Sequence, residues 1–157
     1  MEDGIGMKKE TVIIITKYLL DFMFFGGFVV TCTLPWTVKN IGILLNYDPF
    51  VSEYKEVVVI YCVLGIIAIL ILGELRKMFR TVLAHDCFVK ENVISLQRMG
   101  TYSFIIAIAC FLRTFLYITV TTLVLTLVFT IAGLFCKVLA FVFEQAVEYK
   151  LENDLTI

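Results

Sequence analysis

Two ionisable side chains, Asp21 and Lys137, lie inside long apolar runs of this sequence. A charged group within the hydrocarbon of a membrane costs about 2.5–3.5 kcal/mol on insertion scales, so such side chains tend to face protein. Asp21 and Lys137 lie at similar depths in runs of opposite direction, and we predict that they form an ion pair. Lys17, one helical turn before Asp21, is a competing partner. Gly133 and Ala140 share a helical face with Lys137, which would let the first span approach closely.

This ion pair has two alternative interpretations. It either fixes the register of the helices or belongs to a proton or cation relay. Relays within membranes usually contain more acidic groups at mid-depth than one Asp, which favours the structural role.

No set of residues in the chain predicts an enzyme. Catalytic triads, phosphate-binding loops and the HExxH and GxSxG motifs are absent from the sequence. His85, Asp86 and Cys87 are three potential metal ligands in a row, but adjacent residues rarely converge on one tetrahedral ion. No second His or Cys pair is near them in sequence. We therefore expect no catalytic residues, no metal site and no cofactor.

The remaining polar residues fall into two groups of opposite charge. A basic cluster lies in the polar interval 73–100, and the C-terminal tail is acidic. The cations either meet anionic lipid headgroups, which contribute about 1 kcal/mol each near the surface, or dock against the tail to make one face that a soluble partner recognises. The predicted cytoplasmic interaction surface consists of Arg76, Lys77, Arg80, Glu148, Glu152 and Asp154.

The elements that must position these residues are transmembrane helices. Apolar residues make up 61% of the chain and charged residues only 17%, with a mean hydropathy of +0.96. These values are typical of a protein that lies largely in the bilayer, with room for about four spans of about 20 residues. A net charge of −1 argues against direct binding of nucleic acid.

We predict an all-α fold, an integral membrane four-helix transmembrane bundle that forms a single domain. Pro35 and Trp36 mark the end of the first span, since proline stops a helix and tryptophan favours the membrane interface. The turn between the third and fourth spans is expected between Arg113 and Thr122. The tail, 144–157, extends the last helix. The predicted spans are residues 16–37, 57–73, 100–117 and 122–143.

The interval 73–100 is predicted to form an amphipathic helical hairpin on the cytoplasmic side. After Gly73, apolar residues recur at i, i+3, i+4, i+7 and i+8, which indicates that the second helix continues beyond its span. His85 and Asp86 form a turn, with Asp86 as the candidate N-cap of a second short helix.

Orientation follows from the cations of the short loops. The positive-inside rule places the hairpin and both termini in the cytoplasm, because most Lys and Arg residues belong to these segments. The lipid bilayer is the first expected partner.

Several short motifs resemble those of a known family. They comprise Leu75-Arg76-Lys77, Phe88-Val89-Lys90-Glu91-Asn92, Leu96, Arg98, Gly100, Phe143 and the closing Leu151-Glu152-Asn153-Asp154-Leu155-Thr156-Ile157. In these residues the chain resembles the YoaS-like bacterial membrane proteins of unknown function, although Cys87 and Ala146 stand where that family usually has proline and glycine. The resemblance implies a four-span protein of the bacterial inner membrane, and it suggests a small cytoplasmic helix-turn-helix regulator as a partner.

The leading hypothesis is a non-enzymatic membrane protein that presents its hairpin and tail to a regulatory partner or to a second copy of itself. The alternative is a small transporter or channel subunit that uses Asp21 and Lys137. That alternative requires a homo-oligomer, because four helices enclose little volume.

Overall fold

Four α-helices make up the described part of the chain. The structure is a computed structural model that describes the backbone of residues 2–45, 54–84, 86–116 and 119–155, and the side chains of residues 11–41, 43–44, 54–84, 86–115 and 119–153. The helices are α1 (Glu2–Leu45), α2 (Tyr54–Leu83), α3 (Lys90–Leu116) and α4 (Val120–Leu155). These ranges contain no strand, which agrees with the predicted all-α class.

Each of the four helices is long and apolar enough to cross a membrane. Their most apolar 18-residue stretches have mean hydropathies between 1.4 and 2.7. A hydrocarbon layer of about 30 Å requires about 20 apolar residues in a helix. The four predicted spans fall on four separate helices, so the architecture is that of a multi-pass membrane protein.

The helices form an open row in chain order. α1 packs on α2, α2 on α3 and α3 on α4, and among the described residues no Cα atom of α1 lies within 8 Å of one in α3 or α4. The predicted bundle is therefore not closed. Short connections explain the order, since 84–89 and 117–119 are too short to join anything but antiparallel neighbours. α3 is the most covered helix, with half of its apolar stretch buried against 6–11% in the other three.

Small residues set the contact between α1 and α2. Gly65 of α2 lies against Thr31, where an added Cβ would come within 2.7 Å of the threonine hydroxyl oxygen. Gly27 faces α2, whereas Gly26 faces open space. Pro35 does not stop the helix, since α1 continues to Leu45, and the end of the first span near Pro35 and Trp36 stays a prediction. Proline is tolerated inside transmembrane helices because neighbouring side chains and local adjustments satisfy the freed backbone groups.

At Gly100 and Gly133, the backbones of α3 and α4 approach each other. A Cβ added to Gly100 would lie 3.2 Å from the carbonyl oxygen of Gly133, so the two backbones approach directly. Two turns later in α4, Ala140, which is 1% exposed, packs with Val93 and Leu96 in the apolar core. The small residues of α4 therefore pack against α3 and not, as predicted from the sequence, against the first span.

The hairpin between α2 and α3 consists of the ends of two long helices. We call this end of the row the hairpin end, and the antiparallel order places the C-terminal part of α4 there as well. α3 begins at Lys90, with the Asn92 N–H donating to the carbonyl of Val89 at 3.1 Å, and it runs without a break to Leu116. The prediction of a separate short helix capped by Asp86 is therefore wrong. His85 lies outside the described residues.

Candidate interaction surface

A polar layer crosses the row of helices near the hairpin end. Every pair of neighbouring helices contributes one set of charged or polar contacts to it. We call this layer the polar belt, and it consists of Asp21, Glu74, Arg76, Lys77, Ser95, Gln97, Arg98, Thr101 and Lys137. From the belt to the other end, α2 runs for about 20 residues, or about 30 Å. That length equals the hydrocarbon thickness, so the belt lies where a membrane boundary would fall.

The Asp21 carboxylate binds α2 and not α4. Arg76 donates from Nε to Oδ1 of Asp21 at 2.6 Å, and the two side chains are 22% and 31% exposed. The guanidinium also lies over the ring of Phe24, at 4.6 Å from its centroid. The predicted Asp21–Lys137 ion pair is wrong because α1 and α4 are at opposite edges of the row. Among the described side chains, Lys17 makes no ion pair with Asp21 within 4.0 Å, although it lines the same cleft.

Lys137 binds its neighbour α3. Its Nζ donates to the backbone carbonyl of Gln97 and to the hydroxyl oxygen of Thr101, both at 3.0 Å. The stem of the lysine crosses Gly100, where an added Cβ would lie 3.1 Å from its Cγ. The ammonium group is thus satisfied by uncharged oxygens at the belt, which removes its need for a carboxylate.

Glu74 is a charged belt residue that sequence analysis missed. It is 6% exposed, and its carboxylate accepts hydrogen bonds from Ser95 Oγ at 2.8 Å and Lys77 Nζ at 2.9 Å. Arg98 Nη1 lies 3.4 Å from the same carboxylate. The sequence gives no signal for its burial, since Arg76, Lys77 and Arg80 follow within two turns and make this part of α2 resemble a solvated segment.

A second polar cross-link holds the tip of the hairpin. Asn92 is 2% exposed, and its Nδ2 donates to Thr81 Oγ1 and to the Cys87 carbonyl, both at 2.7 Å. Buried polar groups must find partners, so this contact fixes how the connection folds back on α2. Among the described residues, no buried side-chain nitrogen or oxygen lacks a hydrogen bond.

The C-terminal part of α4 packs on the hairpin. Val147 is buried in the apolar core, and the rings of Phe143 and Phe88 lie 5.4 Å apart. Lys150 Nζ binds Asp86 Oδ1 at 2.9 Å. The tail therefore docks on α3 and on the connection, through apolar contacts and the ion pair between Lys150 and Asp86.

The ion pair between the tail and the hairpin is not the one that the sequence suggested, in which basic residues of the hairpin meet acidic residues of the tail. The basic residues of α2 do not reach the tail: Arg76 binds Asp21, Lys77 binds Glu74, and Arg80 lines a cleft beside α1. The tail supplies the cation of its ion pair, Lys150, and the hairpin supplies the carboxylate.

The acidic residues of the tail have different positions. Glu148 lines a groove with Lys90, and Glu152 is exposed. The side chain of Asp154 lies outside the described residues.

An open groove of about 380 Å³ lies between α3 and α4 near the hairpin end. Ile94 and Leu151 are each 47% exposed in it, beyond the polar belt and so away from the apolar segments. Three charged side chains stand beside this apolar floor. We call it the tail groove, and it is lined by Lys90, Val93, Ile94, Gln97, Glu144, Val147, Glu148 and Leu151.

Comparison with known proteins identifies the family. A family model described as protein of unknown function (DUF2975) matches residues 34–157, which include the hairpin, the tail groove and all of the polar belt except Asp21. No curated protein and no solved structure matches the chain. The narrower resemblance to the YoaS-like proteins stays a prediction. Since the match covers most of its length, the chain belongs to the DUF2975 family of proteins of unknown function.

Proposed function

We propose that this chain is a non-enzymatic protein of the bacterial inner membrane, which uses its hairpin end as a cytoplasmic recognition surface. The observation that carries the proposal is the docking of α4 on the hairpin. α4 continues for 18 residues after Lys137, or about 27 Å, whereas α3 begins at Lys90, seven residues before Gln97. The first part of this extension packs on α3 through Val147 and on the connection through the Phe143–Phe88 contact. An extension of this length protrudes beyond the hydrocarbon, and its packed part offers a firm surface to a soluble partner.

The distribution of cations supports the cytoplasmic orientation. Only three cations of the described side chains lie toward the opposite end, namely Lys39, Lys55 and Arg113. The hairpin end carries Lys17, Arg76, Lys77, Arg80, Lys90, Arg98, Lys137 and Lys150. Such an excess is retained on the cytoplasmic face during insertion.

The tail groove fits an amphipathic helix. Its apolar floor, with Ile94 and Leu151 half exposed, suits the apolar stripe of a partner helix. Glu144 and Glu148 on the rim suit basic residues beside that stripe. A small helix-turn-helix regulator, which the YoaS-like resemblance suggests, is a partner of this kind.

The alternative of a transporter gains no support from this geometry. Asp21 and Lys137 belong to different helix pairs and bind different partners, Arg76 for the carboxylate and α3 for the lysine. A relay between them would have to cross the α2–α3 contact.

Site-specific photocrosslinking in living cells tests the recognition surface. A photoreactive residue in place of Leu151 is expected to give one discrete protein adduct, which the charge reversals Glu144→Lys and Glu148→Lys together abolish. The matched control is the same probe at Val128, which is exposed on the apolar segment of α4 and should react only with lipid. Equal adducts from both positions, or an adduct insensitive to the charge reversals, would contradict the proposal.

The orientation is tested separately by cysteine labelling. In a background without native cysteines, Glu148→Cys should react with a membrane-impermeant maleimide only after spheroplasts are opened. Lys55→Cys, at the other end of the row, should react in intact spheroplasts. The reverse pattern would place the tail groove outside the cell and refute a cytoplasmic partner.

A further inference from the structure

A basic cleft lies between α1 and α2, on the opposite side of the row from the tail groove. It has a volume of about 390 Å³ and opens at the hairpin end. We call it the basic cleft, and it is lined by Lys17, Leu20, Asp21, Arg76, Phe79 and Arg80.

The charges of the basic cleft are not balanced. Asp21 is the one carboxylate among its lining residues, and it is bound to Arg76 at 2.6 Å. Within the described side chains, no carboxylate lies within 4.0 Å of Lys17 or Arg80. Among the described side chains, Lys17 and Arg80 therefore supply two positive charges that no carboxylate balances, one on each helix.

The depth of these two cations matches that of lipid phosphates. Asp21 and Arg76 belong to the polar belt, at the boundary of the apolar segments. Lys17 precedes Asp21 by four residues and Arg80 follows Arg76 by four, so in this antiparallel pair both lie one turn, or about 6 Å, farther out. Lipid headgroups occupy this layer next to the hydrocarbon.

The floor of the cleft is apolar. Leu20 is 6% exposed and Phe79 is half-buried, and both line the cleft beside the basic side chains. A ligand for this cleft thus needs an anionic group for the rim and apolar atoms for the floor. An anionic phospholipid combines the two, with its phosphate next to its glycerol and acyl carbons.

We propose that the basic cleft binds the phosphate group of an anionic phospholipid. Basic pockets between transmembrane helices are a recurrent site for such headgroups. Lys17 and Arg80 bind the phosphate oxygens, and Asp21 holds Arg76 against Phe24 so that its guanidinium faces the cleft. The site is independent of the tail groove and of any protein partner.

Titration of lipid into nanodiscs tests this site. Wild-type protein is reconstituted in phosphatidylcholine, phosphatidylglycerol is added in steps, and bound lipid is counted by native mass spectrometry. The double variant Lys17→Gln/Arg80→Gln should bind phosphatidylglycerol about 30-fold more weakly (about 2 kcal/mol), since each cation near a membrane surface contributes about 1 kcal/mol. Phosphatidylcholine binding should not change.

The same two helices offer a matched control. Lys39→Gln/Lys55→Gln removes one exposed lysine from α1 and one from α2 at the opposite end, and it should leave the titration unchanged. Equal loss in both double variants would show a general effect of net charge and overturn the proposal. Unaltered binding in Lys17→Gln/Arg80→Gln would overturn it as well.

A final arm distinguishes lipid from soluble phosphate. Inorganic phosphate added to the phosphatidylcholine nanodiscs should neither bind with measurable occupancy nor displace phosphatidylglycerol. Saturable binding of inorganic phosphate that depends on Lys17 and Arg80 would identify the cleft as a site for a soluble anion and refute the lipid assignment.

Discussion

The ion pair between Asp21 and Arg76 allows a direct test of the order of the helices. A double-mutant cycle with Asp21→Asn and Arg76→Gln measures the coupling free energy of the pair, and a parallel cycle with Asp21→Asn and Lys137→Gln measures that of the pair predicted from sequence. The open row requires coupling in the first cycle and none in the second.

The expected magnitude follows from the exposure of the two side chains. Exposed ion pairs contribute about 0.2–1 kcal/mol, whereas loss of one partner of a buried pair costs about 3–5 kcal/mol. Asp21 and Arg76 are 31% and 22% exposed, and their contact of 2.6 Å is short. We therefore expect a coupling of about 1–2 kcal/mol. Asp21 and Lys137 share no partner and belong to helices that do not meet, so their effects should add within about 0.5 kcal/mol.

Unfolding by sodium dodecyl sulfate in mixed micelles, followed by circular dichroism, supplies the free energies of the four proteins in each cycle. A coupling near zero for Asp21 and Arg76 would show that the contact contributes nothing to stability. A coupling above about 1 kcal/mol for Asp21 and Lys137 would require α1 and α4 to meet, and it would refute the open row.

Three further sets of substitutions test the helix contacts. Gly100→Ala should destabilise the protein by about 1–3 kcal/mol in the same assay, because the new methyl group would lie 3.1–3.2 Å from atoms of α4. The control Gly26→Ala places its methyl group in open space, so it should be neutral or stabilising by up to about 1 kcal/mol. Gly65→Ala should also destabilise, and Thr31→Ala should suppress that loss, since it removes the oxygen that the new methyl group would meet at 2.7 Å. Glu74→Leu should lower the unfolding free energy by about 1–3 kcal/mol, because it leaves a buried serine hydroxyl without its acceptor, and Glu74→Gln, which keeps an acceptor oxygen, should lose less. Equal losses for the two variants at Glu74, or equal losses for Gly100→Ala and Gly26→Ala, would contradict these contacts.

The proposed roles place different demands on the two sides of the row. The tail groove depends on α3 and α4, whose contact includes the direct approach of Gly100 and Gly133. The basic cleft depends on α1 and α2, which meet elsewhere. Variants that remove lipid binding at Lys17 and Arg80 are therefore expected to keep the adduct at Leu151. This independence separates the failure of one proposal from the failure of the other.

The class of the protein and the number of its apolar helices could be predicted from the sequence. Insertion into a membrane depends on the hydropathy of each segment by itself, so four apolar runs were enough to predict four helices that are long and apolar enough to span a membrane. The similar depth of Asp21 and Lys137 stays a prediction, although both residues belong to the polar belt. The predicted interval for the last turn also contains the observed one, between Leu116 and Val120.

The partners of the charged residues were decided only by the tertiary structure. Which helices touch depends on the faces that pack, and small residues such as Gly133 and Ala140 show that a face is approached without showing by which helix. In the open row, Asp21 binds Arg76 of α2 and Lys137 binds α3. Glu74 is buried, although its neighbours in sequence give no sign of a buried carboxylate. Hydropathy is a property of one segment, whereas an ion pair needs two side chains to meet in space.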